Sequence, residues 1–308
     1  MSDIQSPKAN HKEERRKVTV RLIQAMKARH EPISVLTAYD YPTALAMDQA
    51  GMDIILVGDS LGMVELGYES TLPVTMDDMI HHCKAVARGA KYALMVGDMP
   101  FLSYQASTSE AVHNAGRFLQ EAGMYAVKLE GGSERATAVE AIVAAGIPVM
   151  GHLGLTPQSV HKLGGFRPQG RDADAAYKLL EDALVLQQVG CFSLVLESIP
   201  GRLAELVSQR LDIPTIGIGA GVGCDGQVLV THDLLGLFER FTPRFVKRYA
   251  NLAEEMKNAF SEYISDVKAK SFPGAEHTVE MREDEWERLE QKLATVNISE
   301  LIHDQLVR

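Results

Sequence analysis

The sequence predicts a (β/α)8 barrel, and three observations predict it. Eight short apolar runs have the character of buried parallel strands, stretches of helical period separate them, and a glycine closes most of those stretches. Regular alternation of this kind over some 200 residues of a 308-residue chain calls for a parallel sheet covered by helices. Eight units favour closure over an open sheet.

The elements follow in order. Residues 1–20 are dominated by charge and read as a polar arm leading into a short helix. ISVLTAYD from Ile33 is the first strand, followed by a helix over Pro42–Ala50 that stops at Gly51. DIILVGDS from Asp53 is the second, followed by a helix over Met76–Arg88 and Gly89. YALMVGDMP from Tyr92 and AVKLE from Ala126 supply the third and fourth strands, with Ser109–Ala122 between them and Glu134–Ala145 after. PVMGHLG from Pro148, FSLVLES from Phe192 and PTIGIGAG from Pro214 continue the series, spaced by helices over Ala173–Val189 and Arg202–Arg210. HDLLGL from His232 is the expected eighth strand. Past Glu280, Trp286, Leu289, Leu293, Val296, Leu301 and Ile302 fall at helical spacing among charges. The expected division is therefore an arm at 1–20, a catalytic barrel at 21–280 and an appended amphipathic helical segment at 281–308, which serves packing or oligomer contact.

Composition narrows the function. A formal net charge of −10 disfavours nucleic acid or an anionic membrane as partner, because both demand concentrated positive charge. Cys83, Cys191 and Cys224 have no zinc-ligand or disulfide-framework spacing. With no apolar leader and no long apolar span, the expectation is a cytosolic protein acting on small molecules.

Active sites of such barrels lie at the carboxyl ends of the strands. There the chain places Asp59 and Ser60 after the second strand, Asp98 after the third, Lys128 and Glu130 on the fourth, His152 on the fifth and Glu197 and Ser198 on the sixth. One strand-end aspartate is an ordinary helix cap; five consecutive strands with titratable ends are not. Asp59, Asp98 and Glu130 would repel one another without a cation, and oxygen ligands of this kind suit magnesium. Lys128 and Glu130, two apart on a strand, share a face. The lysine either fixes a substrate carboxylate or forms a Schiff base, and the carboxylates favour the metal reading. Glu197 ends an apolar strand, and partial desolvation suits it to act as a general base. His152 is the rival base or a structural histidine. The glycine-rich loop Gly217–Gly223 breaks the G-x-G-x-x-G frame, which leaves a tight turn or close approach of a ligand. His81, His82 and Cys83 fall in a helical stretch and read as packing.

VLTAYDYPTA, LVGDSLGMVELGYESTLPVT, GDMPFLSY, VKLEGG, PVMGHLGLTPQSV, LVLESIP and GIGAGVGCDGQVLVTHDLLGL, in this order from about Ser34 to about His277, resemble the 3-methyl-2-oxobutanoate (ketopantoate) hydroxymethyltransferase family. The resemblance implies a barrel of the phosphoenolpyruvate/pyruvate-binding type, commonly decameric. It also implies transfer of a one-carbon unit from 5,10-methylenetetrahydrofolate to 3-methyl-2-oxobutanoate, giving the pantothenate precursor 2-dehydropantoate. By that resemblance Asp59, Asp98 and Glu130 hold Mg2+, the last of them through water. Asp59, Ser60, Asp98 and Lys128 contact substrate, Glu197 accepts the proton and His152 lines the pocket. The arm and the segment after Glu280 have no counterpart in the family core. A magnesium-dependent lyase or aldolase acting on 2-oxo acids, and a non-catalytic barrel serving as a scaffold, remain the alternatives.

Overall fold

The computed structural model describes residues 15–295. Its strands are β1 (Ile33–Thr37), β2 (Ile54–Val57), β3 (Leu94–Asp98), β4 (Ala126–Glu130), β5 (Val149–Gly154), β6 (Ser193–Glu197), β7 (Thr215–Ile218) and β8 (Gly226–Leu229). Each pairs in parallel with the next, and β8 pairs with β1 to close the barrel. The helices are α1 (Val20–Ala28), α2 (Tyr41–Ala50), α3 (Leu61–Val64), α4 (Met76–Gly89), α5 (Thr108–Gln120), α6 (Ala136–Ala144), α7 (Val160–Leu163), α8 (Ala173–Gln188), α9 (Gly201–Arg210), α10 (Thr231–Leu234), α11 (Leu252–Ala269) and α12 (Glu283–Thr295).

Local chemistry explains the boundaries. The Asp40 carboxylate accepts the Thr43 N–H at the start of α2, Pro42 sits in the first turn, and Gly51 ends the helix in the left-handed region. Thr75 and Asp78 cap α4 reciprocally. Along the strands the period of two separates two cores. Ile54 and Leu56, Leu94 and Val96, Ala126, Met150, Val195, Ile216 and Val228 fill the barrel interior. Ile55, Val57, Met95, Val127, Leu129, Leu194 and Leu196 pack outward against the helices. Ile23 and Met26 of α1 join the interior cluster, so apolar side chains fill the barrel below its carboxyl end. Continuing the same parity to the strand ends turns Asp98, Lys128, Glu130, His152 and Glu197 inward.

On the outward face of β3, next to Asp98, the packing leaves no room for a side chain at Gly97. A Cβ on Gly97 would meet the Phe118 ring of α5 at 2.3 Å. Gly97→Ala is expected to lower unfolding stability by about 1–3 kcal/mol through overpacking, read as a shift in the urea midpoint at unchanged slope.

The eighth strand is a correction. HDLLGL does not form it; part of that run folds as α10, and β8 is the earlier GQVL. β8 is short and carries only Val228 and Leu229 as apolar residues, so an apolar-run search passes over it. Its position is set by pairing instead: Ile33 faces Gly226, where a Cβ would lie 2.4 Å from the Ile33 carbonyl oxygen.

The chain divides into compact units between Leu252 and Ala253, ahead of the division at 280 drawn from composition. In the second unit, α11 leaves Met256, Phe260, Tyr263, Ile264 and Val267 exposed at helical spacing, and α12 leaves Trp286 and Leu293 exposed. Val296, Leu301 and Ile302, and most of the polar arm, lie outside the described residues. No helix among the described residues is long and apolar enough to cross a membrane.

Candidate active site

Strand register assembles the site. Asp98 lies beside Lys128, Glu130 beside His152, and Glu197 beside Gly154. Gly154 has φ of +95° and a Cβ there would meet the Glu197 carbonyl oxygen at 2.2 Å, so only glycine lets β5 run this close to the end of β6. Asp59 follows β2, and its N–H donates to Asp98 Oδ2 at 3.2 Å. Ser60 Oγ is 2.8 Å from the hydroxyl of buried Tyr39.

The charged groups form a chain across the barrel mouth. Lys128 Nζ stands 2.8 Å from Asp98 Oδ1 and 3.3 Å from His152 Nδ1. His152 Nδ1 is 3.4 Å from Glu130 Oε1, and its Nε2 is 3.2 Å from Glu197 Oε2. Asp59, Asp98, Lys128, Glu130 and His152 are each at most 4% exposed; the Glu197 side chain is 16% exposed at the edge of the open cleft. All of the sequence-derived site residues therefore line one cleft of about 460 Å³.

Burial, reinforced by Asp98 and Glu130, pushes the Asp59 carboxyl well above the usual carboxylate range. Burial also raises Asp98, against the opposing pull of Lys128. Burial alone would weaken the Lys128 ammonium, but Asp98, Glu130 and Asp59 outweigh it and hold the lysine charged. For His152, burial and Lys128 favour the neutral ring, while contacts with Glu130 and Glu197 prevail and raise it to about 9. Nδ1 therefore faces Glu130 and Nε2 faces Glu197, and these two carboxylates favour the protonated ring against the pull of Lys128.

Carboxylates outnumber cations here, and buried Asp98 Oδ1 has no aligned hydrogen bond. Among the described residues no three carboxylate, imidazole or thiol side chains are grouped so as to hold a metal ion, so an ion here would take at most two of them directly. That combination fits an open site for a hard divalent ion, which takes one or two carboxylates and keeps waters or substrate oxygens for the rest. Asp59 and Asp98 are the adjacent pair; Glu130 is already engaged by the Gln158 N–H at 3.0 Å.

The family-model comparison settles the lineage: residues 17–275 match the family described as ketopantoate hydroxymethyltransferase. The chain belongs to the ketopantoate hydroxymethyltransferase family. The 3-methyl-2-oxobutanoate hydroxymethyltransferase of Moorella thermoacetica is 60% identical over 265 residues, covering 86% of this chain and 98% of that protein. The protein of the same name from Syntrophus aciditrophicus is 58% identical over 263 residues, covering 85% and 97%. Among solved structures, 2,3-dimethylmalate lyase, a member of the PEP mutase/isocitrate lyase superfamily, superimposes with a TM-score of 0.53 at 13% identity, covering 93% of this chain and 98% of that one. At that identity the likeness concerns the fold.

Within this family member, two residues beside the charged floor escaped the sequence reading. Gln158, in the turn after β5, is buried; its amide NH2 donates to Asp59 Oδ2 at 3.0 Å and to the Met99 carbonyl oxygen at 2.9 Å. The Tyr104 hydroxyl donates to Gln158 Oε1 at 2.7 Å and accepts from the Glu130 N–H at 3.1 Å. Neither residue is ionised at neutral pH, so a search for charged strand ends misses both. The signal available was TPQ directly after HLGL, a polar turn at a strand's carboxyl end.

The glycine loop after β7 proves to be a packed turn. A Cβ on Gly219 would lie 2.7 Å from the Phe245 ring, and one on Gly221 would lie 3.2 Å from the Gly201 Cα. Cys83 is buried in the outer core, and His82 Nδ1 lies 2.7 Å from the Tyr39 carbonyl oxygen, which places the His-His-Cys run in packing.

Proposed function

We propose that this protein transfers a hydroxymethyl group from 5,10-methylenetetrahydrofolate to 3-methyl-2-oxobutanoate, giving 2-dehydropantoate for pantothenate synthesis. The observation that carries the reading is the single inward chain of Asp59, Asp98, Lys128, Glu130, His152 and Glu197, in a chain 60% identical to a protein bearing that activity's name.

In this reading Asp59 and Asp98 would hold Mg2+, with Glu130 contributing through water, and the ion would supply Lewis-acid polarisation of the 2-oxo acid. Lys128, kept charged by its carboxylate neighbours, offers an ammonium to the substrate's oxygens, and Ser60, steadied by Tyr39, offers a hydroxyl. The Glu197 carboxylate takes the proton from C3. The electron pair left behind makes C3 the nucleophile, and a new C–C bond forms to the folate's methylene carbon; both C–N bonds of that carbon break, one water molecule supplies the hydroxyl oxygen, and tetrahydrofolate leaves with the C3 proton and the water's proton on its two nitrogens. His152 lies with Nε2 3.2 Å from Glu197 Oε2 and helps to fix where that carboxylate stands. No Schiff base at Lys128 is needed, and its ion pair with Asp98 keeps it protonated rather than nucleophilic.

Gln158 is a positioning residue, because one side chain orients Asp59 while its backbone holds Glu130. Gln158→Leu is expected to raise the Mg2+ concentration for half-maximal turnover by about 10- to 100-fold. A magnesium titration of the purified variant checks this, and an unchanged half-point would remove Gln158 from the site.

The exposed stripe on α11 supports a homo-oligomer, and the resemblance supports a decamer. The free cysteines Cys83, Cys191 and Cys224 agree with a cytosolic location. The test of the reaction is 5,10-methylenetetrahydrofolate labelled with ¹³C at the methylene carbon. Label in the hydroxymethyl group of 2-dehydropantoate is the expected result, whereas cleavage of the oxo acid without label transfer would favour a lyase.

A further inference from the structure

The polar floor accounts for only part of the cleft. A five-carbon oxo acid needs little of about 460 Å³, a volume within the range of drug-sized ligands. Above the floor the lining changes character: Phe166, Phe238, Phe241 and Phe245 form an aromatic rim, joined by Arg244. Phe166, Phe241 and Phe245 are exposed, an unusual state for large apolar rings unless something covers them.

Four of these five residues sit on the stretch between α10 and α11, which has no regular secondary structure of its own. Connections that long are commonly functional. The rings are held in place. Phe245 rests on Gly219 of the β7 turn, and Phe238 meets Phe241 edge to face with centroids 5.3 Å apart. Arg244 is exposed and forms no ion pair or side-chain hydrogen bond with another described residue. Flat aromatic faces beside one unpaired guanidinium are complementary to a ligand that carries flat conjugated rings and a carboxylate tail.

We propose that this rim is the folate subsite, with the pterin and aminobenzoyl rings against the phenylalanines and the glutamate carboxylate on Arg244. The proposal rests on the folate-dependent reading above and adds the side chains that would take the donor. It also explains the geometry of the cleft: the oxo acid lies on the charged floor, and the methylene carbon approaches from the rim that opens onto it.

Two measurements test it separately from that reading. Equilibrium dialysis with tetrahydrofolate reports binding without turnover, and steady-state kinetics report KM for each substrate. Arg244→Gln is expected to raise the folate KM and the tetrahydrofolate Kd by about tenfold, with the oxo acid KM moving less than about twofold. A donor lacking the glutamate, 5,10-methylenetetrahydropteroate, should show the same KM with wild type and Arg244→Gln. Phe241→Ala should weaken both donors alike. Unchanged folate binding in Arg244→Gln and Phe241→Ala would overturn the proposal, as would oxo acid KM rising in step with folate KM, or no tetrahydrofolate binding to wild type. Wild type that binds tetrahydrofolate through these residues but makes no product would leave the rim standing and sink the transfer reaction.

Discussion

Glu197→Gln is expected to lower turnover by about 10²- to 10⁴-fold, the range that follows loss of a positioned base. Glu197 is the carboxylate at the edge of the open cleft, 3.2 Å from His152 Nε2 and outside the Asp98–Lys128 ion pair. The amide retains shape and hydrogen-bonding capacity but cannot accept the C3 proton. The diagnostic assay needs no folate. Wash-in of deuterium at C3 of 3-methyl-2-oxobutanoate in D2O reports proton removal alone, and it should fall in parallel with turnover. Near-normal exchange in the variant would place the base elsewhere.

Lys128→Met is expected to have the second large effect, on both activity and stability. Lys128 is buried against Asp98 and near Glu130 and Asp59. Removing one partner of a buried pair leaves an uncompensated charge, which costs about 3–5 kcal/mol of stability. Loss of the ammonium proposed to hold the substrate's oxygens should lower turnover by a further factor of about 10²–10³. Chemical denaturation measures the first effect, and kinetics on the fraction that remains folded measures the second. Lys128→Arg separates charge from geometry: it should recover most of the stability and little of the turnover, because a planar guanidinium does not reproduce a compact ammonium.

These effects are legible in the sequence to different degrees. The first seven strands were visible because each is a local apolar run, and their charged ends were visible because a barrel gathers strand ends at one face. Lys128 and Glu130 declared their common direction through spacing alone. β8 was not visible, since GQVL owes its place to pairing with Ile33 across nearly 200 residues of chain rather than to its own pattern. Gln158 and Tyr104 carry no charge to draw attention, and only the folded chain shows them between Asp59 and Glu130. The aromatic rim escaped for a third reason. Phe166 and Phe245 lie far apart in sequence, on irregular segments without periodicity, and only the closed barrel brings them to one mouth.

The most direct measurement is formation of 2-dehydropantoate from 3-methyl-2-oxobutanoate and 5,10-methylenetetrahydrofolate by the purified full-length protein, first with Mg2+, then with chelator, then with Mg2+ restored. Product that appears, stops and returns in that order is the predicted result. Absence of product from folded protein saturated with magnesium, or turnover indifferent to the chelator, would contradict the account.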